Sequence, residues 1–245
     1  MNNLKINEIE ITKNLTDSIA KKLQLFEKLL QSISDSYNSL CFASSMGAED
    51  MVILDIINNS KSKVAIFTLD TGRLHQETYN LISLVNQKYS NKVKVFFPDA
   101  QEVKDYVEHR GINGFYDSYD ARKECCRIRK IEPLKNALIG HDAWITGLRS
   151  EQSITRKENN IIEKDDLFKI DKISPLLDWS EEEIWGYIKS NEVPYNLLHN
   201  QFFPSIGCEP CTRAVAKGED IRSGRWWWEN PDSKECGLHQ KIKKG

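Results

Sequence analysis

Apolar residues fall into four short runs within the first 150 residues, and these runs predict β-strands. Their sequences are SLCFASS (39–45), VAIFTLD (64–70), VKVFFPD (93–99) and AWITGLR (143–149). Each of the first three runs is followed by a stretch with apolar residues three and four positions apart, the spacing of one helix face. Strand, loop and helix repeated in this way predict an α/β fold with a mainly parallel sheet flanked by helices.

Helical patterns also lie before and after this core. LTDSIAKKLQLFEKLLQSI (15–33) has helical apolar spacing, and SEEEIWGYIKSNEV (180–193) begins with the residue types of a capping box. The loops that follow are rich in Gly, Pro and aromatic residues, and we expect them to pack over the crevice at the sheet edge. We predict one domain over 1–240, made of N-terminal helices (1–37), an α/β core (38–178) and a C-terminal region (179–230), with a mobile tail at 231–245.

Charge and hydropathy argue against some classes of partner. The net charge is −2 and the isoelectric point is near 6.2, so no global basic field attracts nucleic acid. Positive charge is local, around 122–130 and 217–225, which suits a small anionic ligand. No apolar run approaches the roughly 20 residues of a membrane span, and the N-terminus lacks the apolar region of a signal peptide. We expect a cytoplasmic protein with reduced thiols and no membrane partner.

The loops after the predicted strands are candidates for a ligand site. Ligands of open α/β sheets lie beyond the carboxyl ends of the strands, so the loops at 44–50, 70–75 and 149–156 should line one crevice. In SSMGAED, Ser44, Ser45 and Gly47 form a turn that can point N–H groups at an anion. The same turn could need Gly47 only for its backbone geometry. Asp70, in Asp70-Thr71-Gly72 at the end of the next strand, favours the ligand hypothesis.

Four of the six cysteines form two pairs. Cys208 and Cys211 have the spacing of metal ligands, whereas Cys125 and Cys126 are adjacent. Four thiols suit tetrahedral zinc or an iron–sulfur cluster, and adjacent side chains could reach different irons where the backbone is irregular. Pro133 is consistent with a broken helix in this region. The alternative is that all four are buried free cysteines, which pack as small apolar residues.

Other residues have chemistry that suits an anionic ligand or a thiol reaction. The fork of an arginine guanidinium binds phosphate and sulfate oxygens, although surface arginines are often merely solvated. The candidate arginines are Arg149, Arg156, Arg222 and Arg225. The tryptophans of GRWWWE (224–229) could cover an adenine, but we interpret them mainly as packing residues. Cys236 lies between Lys234 and His239, which could favour its thiolate, or it is an ordinary surface cysteine.

Taken together, four motifs resemble the assimilatory adenylylsulfate (APS) reductases, the iron–sulfur branch of the PAPS/APS reductase family. They are CC (125–126), CEPC (208–211), GRWWWE (224–229) and ECGLH (235–239). The resemblance extends from about residue 38 to 240. It implies an adenine-nucleotide α-hydrolase-like fold in which SSMGAED is a modified phosphate loop.

The resemblance also implies a set of site residues. The cysteines of the first two motifs would hold a [4Fe–4S] cluster, and Cys236 would attack the sulfur of APS, releasing AMP and leaving an S-sulfocysteine. Thioredoxin or glutaredoxin, supplied from outside this chain, would then free sulfite for cysteine biosynthesis. Lys130 corresponds to the family lysine between cluster and substrate. The expected substrate-binding residues are Ser44, Ser45, Gly47, Asp70, Lys130, Arg149, Arg156, Arg222, Arg225 and His239.

Several alternatives stay open at this point. The nearest is a reductase of phosphoadenylylsulfate (PAPS), or an enzyme that accepts both nucleotides. A second is an iron–sulfur RNA sulfur-transferase of the same superfamily, which we would expect to have a fuller Gly-Gly phosphate loop and a more basic surface. A third is a zinc-stapled module that binds nucleic acid through GRWWWE. Homo-oligomerisation is possible and is not decided by the sequence.

Overall fold

A six-stranded, mainly parallel sheet forms the centre of the protein. The computed structural model describes residues 6–60, 62–152, 160–216 and 218–229. The strands are β1 (Leu40–Ala43), β2 (Val64–Leu69), β3 (Val93–Phe96), β4 (Ala143–Ile145), β5 (Ile162–Lys164) and β6 (Asp171–Ile173), in the spatial order β3-β2-β1-β4-β6-β5. Every neighbouring pair is parallel except β5 and β6, so the prediction of a mainly parallel sheet is confirmed.

Helices flank the sheet. They are α1 (Lys13–Ser36), α2 (Ala48–Asn59), α3 (Gln76–Lys88), α4 (Ala100–Arg110), α5 (Tyr119–Cys126), α6 (Glu132–Leu138) and α7 (Glu181–Ser190). The described part of the N-terminal segment holds one α-helix, α1, after a short 3-10 turn, where the sequence predicted helices. The capping box at the start of α7 is confirmed: the Ser180 hydroxyl accepts from the Glu183 N–H, and the Glu183 carboxylate accepts from the Ser180 N–H.

The sheet divides the core into two apolar layers. Adjacent residues of a strand face opposite sides, and in β1 Phe42 packs in the layer formed with α1, α2, α3 and α7, whereas Cys41 packs in the layer formed with α6. Burial raises the pKa of the Cys41 thiol to about 12, which fits a core residue with no thiolate chemistry. Trp144 of β4 is buried against the α6 layer.

Helix α1 is fixed to α7 by a close approach at Gly186. A Cβ atom at this glycine would lie 2.9 Å from Ile19 Cδ1, so a larger residue there would require the side chains of α1 to shift. Lys22 of α1 also forms a 2.6 Å ion pair with Glu183 of α7. Among the residues that the structure describes, no helix has both the length and the apolar character that crossing a bilayer requires.

Candidate active site

A cavity of about 310 Å³ lies at the carboxyl ends of the central parallel strands. One wall comes from the loop after β1, and the opposite wall comes from the C-terminal loops. Seven of the ten predicted substrate-binding residues line it: Ser44, Ser45, Gly47, Lys130, Arg149, Arg222 and Arg225. The volume is within the range of pockets that hold small ligands and cofactors, about 300–1,000 Å³.

The loop after β1 is shaped by a buried carboxylate. Asp50, on the first turn of α2, accepts hydrogen bonds from the Ser45 N–H at 2.5 Å and from the Ser45 hydroxyl at 2.6 Å. Gly147, on the neighbouring loop after β4, also donates its N–H to Asp50. The two residues are so close that a Cβ atom at position 147 would overlap the Asp50 carboxylate. Burial raises the pKa of Asp50 to about 6, partly offset by these hydrogen bonds. This contact between two strand ends was not predicted from the sequence.

The predicted arginine Arg149 lines the cavity but is already paired. Its guanidinium forms ion pairs of 2.9 Å with Glu49 and 2.7 Å with Glu151, and it donates to the Trp179 carbonyl oxygen at 3.3 Å. Only 5% of the residue is exposed. Arg149 therefore joins the first turn of α2 to the start of α7, and much of its charge is balanced by carboxylates.

The opposite wall brings cations together with one of the cysteines. Arg225 stacks on the Trp226 ring at 4.7 Å and donates to the Ser205 hydroxyl and the Ile206 carbonyl oxygen, both at 3.3 Å. A side chain at Gly207 would overlap its guanidinium, so glycine there makes room for the arginine. Lys130, Arg222 and Cys208 also line the cavity.

Among the predicted substrate-binding residues that the structure describes, Asp70 alone does not line this cavity. Asp70 is the first residue after β2. Its carboxylate accepts hydrogen bonds from the Gly72 N–H at 2.7 Å and from the Tyr79 hydroxyl at 2.8 Å. Gly72 has a positive φ of 70°, and this hydrogen bond helps to form that turn. Asp70 as a substrate ligand stays a prediction. Arg156, Cys236 and His239 lie outside the described residues.

The adjacent cysteines lie where the helical hydrogen-bond pattern changes. Cys125 and Cys126 are the last residues of α5, and Arg127–Ile131 form a π-helical turn before α6. A π-turn inside a helix is frequent at functional sites. Pro133, at the start of α6, has no N–H for the α-helical ladder, which contributes to the break. The irregular backbone that the sequence predicted in this region begins directly after Cys126, whereas the two cysteines themselves belong to α5.

The four cysteines come together although more than 80 residues separate the two pairs. Cys208 and Cys211 are buried in an apolar cluster with Phe115 and Trp226, and Cys125 packs against the same cluster. In the described ranges, no three His, Cys, Asp or Glu side chains converge on one metal-ion position. An iron–sulfur cluster does not require such convergence, because its ligands bind separate irons. The donor chemistry of four grouped thiols fits a cluster.

The ionisation of these thiols is uneven. Burial raises the pKa of Cys125 to about 11 and that of Cys211 to about 12, with the neighbouring thiolates adding to the rise. For Cys208, burial also acts to raise the pKa, but Lys130, the Thr71 hydrogen bond and nearby arginines outweigh it and lower the pKa overall. Lys130 lowers the pKa of all three thiols, so its ammonium lies within electrostatic reach of this cysteine group and on the cavity wall.

Two residues of the tryptophan triplet, Trp226 and Trp228, pack in the cluster that holds the cysteines, and none of the three lines the cavity. Trp226 is 1% exposed, and Trp228 packs edge-on against Tyr116 with 4.5 Å between the ring centroids. Tyr116 donates its hydroxyl to the Pro210 carbonyl oxygen, within the second cysteine pair, at 2.7 Å. The interpretation of these tryptophans as packing residues is confirmed for Trp226 and Trp228, whereas Trp227 is 40% exposed.

His199 is a cavity residue for which the sequence carries no spacing signal. Its ring packs edge-on against Trp185 at 5.1 Å and lines the cavity near the phosphate-loop wall. Burial lowers the pKa of His199 to about 4, so the ring is neutral at pH 7. It therefore adds no positive charge to a cavity whose cations are arginine and lysine.

Comparison with known proteins gives one family match and many similar chains. The phosphoadenosine phosphosulfate reductase domain matches residues 39–214. An adenosine 5′-phosphosulfate reductase of Allochromatium vinosum is 51% identical over 226 residues, which cover 92% of this chain and 88% of the relative. An adenosine 5′-phosphosulfate reductase of Neisseria meningitidis (serogroup A) is 52% identical, over 91% of this chain and 92% of the relative. One of Burkholderia cepacia is 48% identical, over 92% of this chain and 90% of the relative.

Solved structures give the same fold. The crystal structure of a PAPS reductase from Candida auris has a TM-score of 0.67 and 26% identity, covering 84% of this chain and 99% of that chain. An FMN adenylyltransferase of Candida glabrata has a TM-score of 0.58 at 14% identity, covering 94% of this chain and 78% of its own, and therefore supports the fold alone. Both neighbours agree with the adenine-nucleotide α-hydrolase-like fold expected from the motifs.

Proposed function

The chain belongs to the phosphoadenosine phosphosulfate reductase family, and we propose that it is an adenylylsulfate reductase that converts APS to sulfite and AMP in sulfate assimilation. The observation that carries this proposal is the cavity, whose lining combines Ser44, Ser45 and Gly47 of the loop after β1 with Lys130, Arg222, Arg225 and Cys208. The high identity to proteins named adenosine 5′-phosphosulfate reductase supports APS as the substrate.

The positive charges of the cavity suit the anionic end of the substrate. APS carries an adenosine and an anionic phosphosulfate, and anions are best stabilised by cations and N–H groups in a partly dry site. Lys130, Arg222 and Arg225 are proposed to bind the phosphosulfate at the wall near the cysteines. The proposal that Arg149 binds substrate has less support than that for Lys130, Arg222 and Arg225, because the Arg149 guanidinium already pairs with Glu49 and Glu151.

The first chemical step is proposed to be a sulfonate transfer to Cys236. The thiolate attacks the sulfur of APS, a bond forms between the cysteine sulfur and the sulfonate, and the bond to the bridging oxygen breaks. The electron pair of that bond leaves with AMP. Negative charge therefore increases on the AMP phosphate, which Lys130 and the two arginines would stabilise. His239 is proposed to assist Cys236 or the substrate, as its place in ECGLH implies.

The second step returns the enzyme to its starting state. A thiolate of thioredoxin or glutaredoxin attacks Cys236, sulfite leaves with the electron pair of the sulfur–sulfur bond, and a mixed disulfide forms. The second thiol of the reductant then releases Cys236. The two electrons gained by the sulfonate come from this dithiol, so no further electron donor is required.

We propose a [4Fe–4S] cluster on Cys125, Cys126, Cys208 and Cys211, supported by the grouping of these thiols and by the irregular helix at the adjacent pair. The cluster when bound supplies an electrostatic and structural contribution beside the substrate site. Lys130 is proposed to act between the two, since it lines the cavity and lowers the pKa of nearby thiols. The cytoplasm is the proposed location, because it keeps these thiols reduced.

The experiment that tests the proposal is anaerobic turnover with purified thioredoxin, measuring sulfite and AMP. APS should be converted, whereas Cys236→Ser should release neither product while it retains its iron. PAPS is run in parallel, because the Candida auris neighbour is a PAPS reductase. Faster conversion of PAPS than of APS would replace the proposed substrate, and turnover by Cys236→Ser would remove the proposed nucleophile.

A further inference from the structure

A buried ion pair holds the last described residue of the C-terminal region. Arg122 of α5 donates from Nε to Glu229 Oε1 at 2.8 Å and from Nη2 to Glu229 Oε2 at 2.7 Å. The side chains are 2% and 6% exposed. A bidentate pair of this kind fixes the direction as well as the distance of its two partners.

The guanidinium of Arg122 is held on its other sides as well. It lies 4.6 Å from the Trp226 ring and 4.9 Å from the Tyr119 ring, in cation–π geometry with each. It also forms a hydrogen bond with the side chain of Cys126. An arginine has five N–H donors, so one side chain can serve the carboxylate and the thiolate at the same time.

Glu229 marks the point from which the chain continues toward Cys236. Arg225 lies on the cavity wall four residues earlier, so the Cα atoms of Arg225 and Glu229 are at most about 14 Å apart. Cys236 lies seven positions after Glu229 in the sequence, and seven residues of chain span at most about 25 Å when fully extended. The anchor therefore lies close enough to the cavity for Cys236 to reach it.

We propose that Arg122 is a positioning residue that joins the Cys126 ligand to Glu229 and thereby fixes the origin of the segment that carries Cys236. This inference rests on the proposed function for the role of Cys236. Neither Arg122 nor Glu229 lines the cavity. Their effect on the reaction is therefore exerted through the placement of the nucleophile and not through contact with the substrate.

The test uses two variants with different expected results. Glu229→Gln breaks the ion pair but leaves the hydrogen bond from Arg122 to Cys126, so iron content, iron release to a chelator and affinity for AMP should match the unaltered enzyme. Formation of the Cys236 adduct with APS, followed in a single turnover by intact mass, should slow about tenfold, because misplacement of a reacting group is costly. Arg122→Lys should slow adduct formation similarly and also release iron faster.

A matched control is Arg110→Lys. Arg110, the last residue of α4, forms an exposed 2.6 Å ion pair with Glu124 of α5, the helix that also carries Arg122. This variant should change neither adduct formation nor iron release. If Glu229→Gln fails to fold because Arg122 is left buried without its carboxylate, Arg122→Met combined with Glu229→Leu removes both charges. That double variant should fold and form the adduct about tenfold more slowly.

The outcomes separate this inference from the proposed function. Unchanged adduct formation in both single variants, with a normal adduct in the unaltered enzyme, would overturn the inference alone. Equal losses of iron, AMP affinity and adduct formation in Glu229→Gln would assign the pair a purely structural role and overturn it as well. If the unaltered enzyme forms no adduct, the proposed function fails, whereas faster iron release in Arg122→Lys alone would still support the link to Cys126.

Discussion

The hydroxyl oxygen of Thr71 lies 3.2 Å from the Sγ atom of Cys208, at the boundary between the cavity and the cysteine group. Thr71 is the second residue after β2, so the end of this strand fixes the position of its hydroxyl. The two residues in contact are 137 positions apart in the sequence. A second bond, from the Glu209 N–H to the Arg73 carbonyl oxygen at 2.8 Å, ties the same two loops together. These two contacts join the loop after β2, at the cavity, directly to the cysteine group.

Replacing Thr71 with Val should weaken metal retention without unfolding the protein. The variant keeps the shape of the side chain but removes the hydrogen bond that helps to lower the pKa of Cys208. We expect iron release to an added chelator to become several-fold faster, since a typical hydrogen bond contributes about 1 kcal/mol. Thr71→Ser keeps the hydroxyl and is the control. Equal release rates for the two variants would contradict this role of the hydroxyl.

Replacing Lys130 with Ala should lower activity while the iron content is preserved. Its ammonium lies on the cavity wall and within electrostatic reach of three cysteines. Loss of a group that stabilises charge in the transition state costs on the order of 10²-fold in kcat. The measurement is turnover with APS at saturating reductant, with iron assayed in the same preparation.

Lys135→Ala is the control for this variant. Lys135 lies on α6 and forms an exposed 3.0 Å ion pair with Glu132, and its loss should leave kcat unchanged. Unchanged kinetics in Lys130→Ala would remove the proposed role of Lys130 at the substrate.

Replacing Gly207 with Ala should weaken substrate binding through Arg225. A methyl group at this position would overlap the Arg225 guanidinium, which then has to leave its place on the cavity wall. We expect KM for APS to rise about tenfold, the order of one lost charge-assisted contact. If this account is right, Gly207→Ala adds little to Arg225→Ala in the double variant, because both changes remove the same contact. Additive effects would mean that Gly207 acts independently of Arg225.

The buried Asp50 carboxyl predicts a pH-dependent difference in stability. Burial raises its pKa from 3.8 to about 6 in the folded protein, so the fold favours the protonated form. The stabilisation is present below pH 3.8 and is lost as the pH rises through 6, a change of about 3 kcal/mol for a shift of about two units. Asp50→Asn does not titrate, so its free energy of unfolding relative to that of the unaltered enzyme should rise by this amount between pH 4 and 7.5. A constant difference in urea unfolding would contradict the shifted pKa.

The parts of the fold that the sequence predicted are those with strong local patterns. Strands β1 to β4 were predicted because they are apolar runs, although each is shorter than its run. Strands β5 (IEK) and β6 (DKI) were missed, because each has only three residues, two of them charged, and so has no distinctive pattern. The start of α7 was predicted because a capping box is a local signal.

The parts of the site that were missed depend on contacts between distant residues. Asp50 meets Gly147, and Arg122 meets Glu229 across 107 positions, and neither contact leaves a signal in one sequence. Asp70 was predicted to bind substrate because it ends a strand, and this stays a prediction; its carboxylate accepts a hydrogen bond from the Gly72 N–H in the turn that follows. The roles of the cysteines came from the resemblance to a known family, because spacing alone left zinc, a cluster and free thiols open.

The most direct test of the central claim is the intact mass of the protein after anaerobic incubation with APS and without reductant. A gain of one SO₃ unit on Cys236, released as sulfite when thioredoxin is added, is the predicted result. No adduct on this cysteine, in protein with intact iron and normal affinity for AMP, would contradict a sulfonate-transferring reductase.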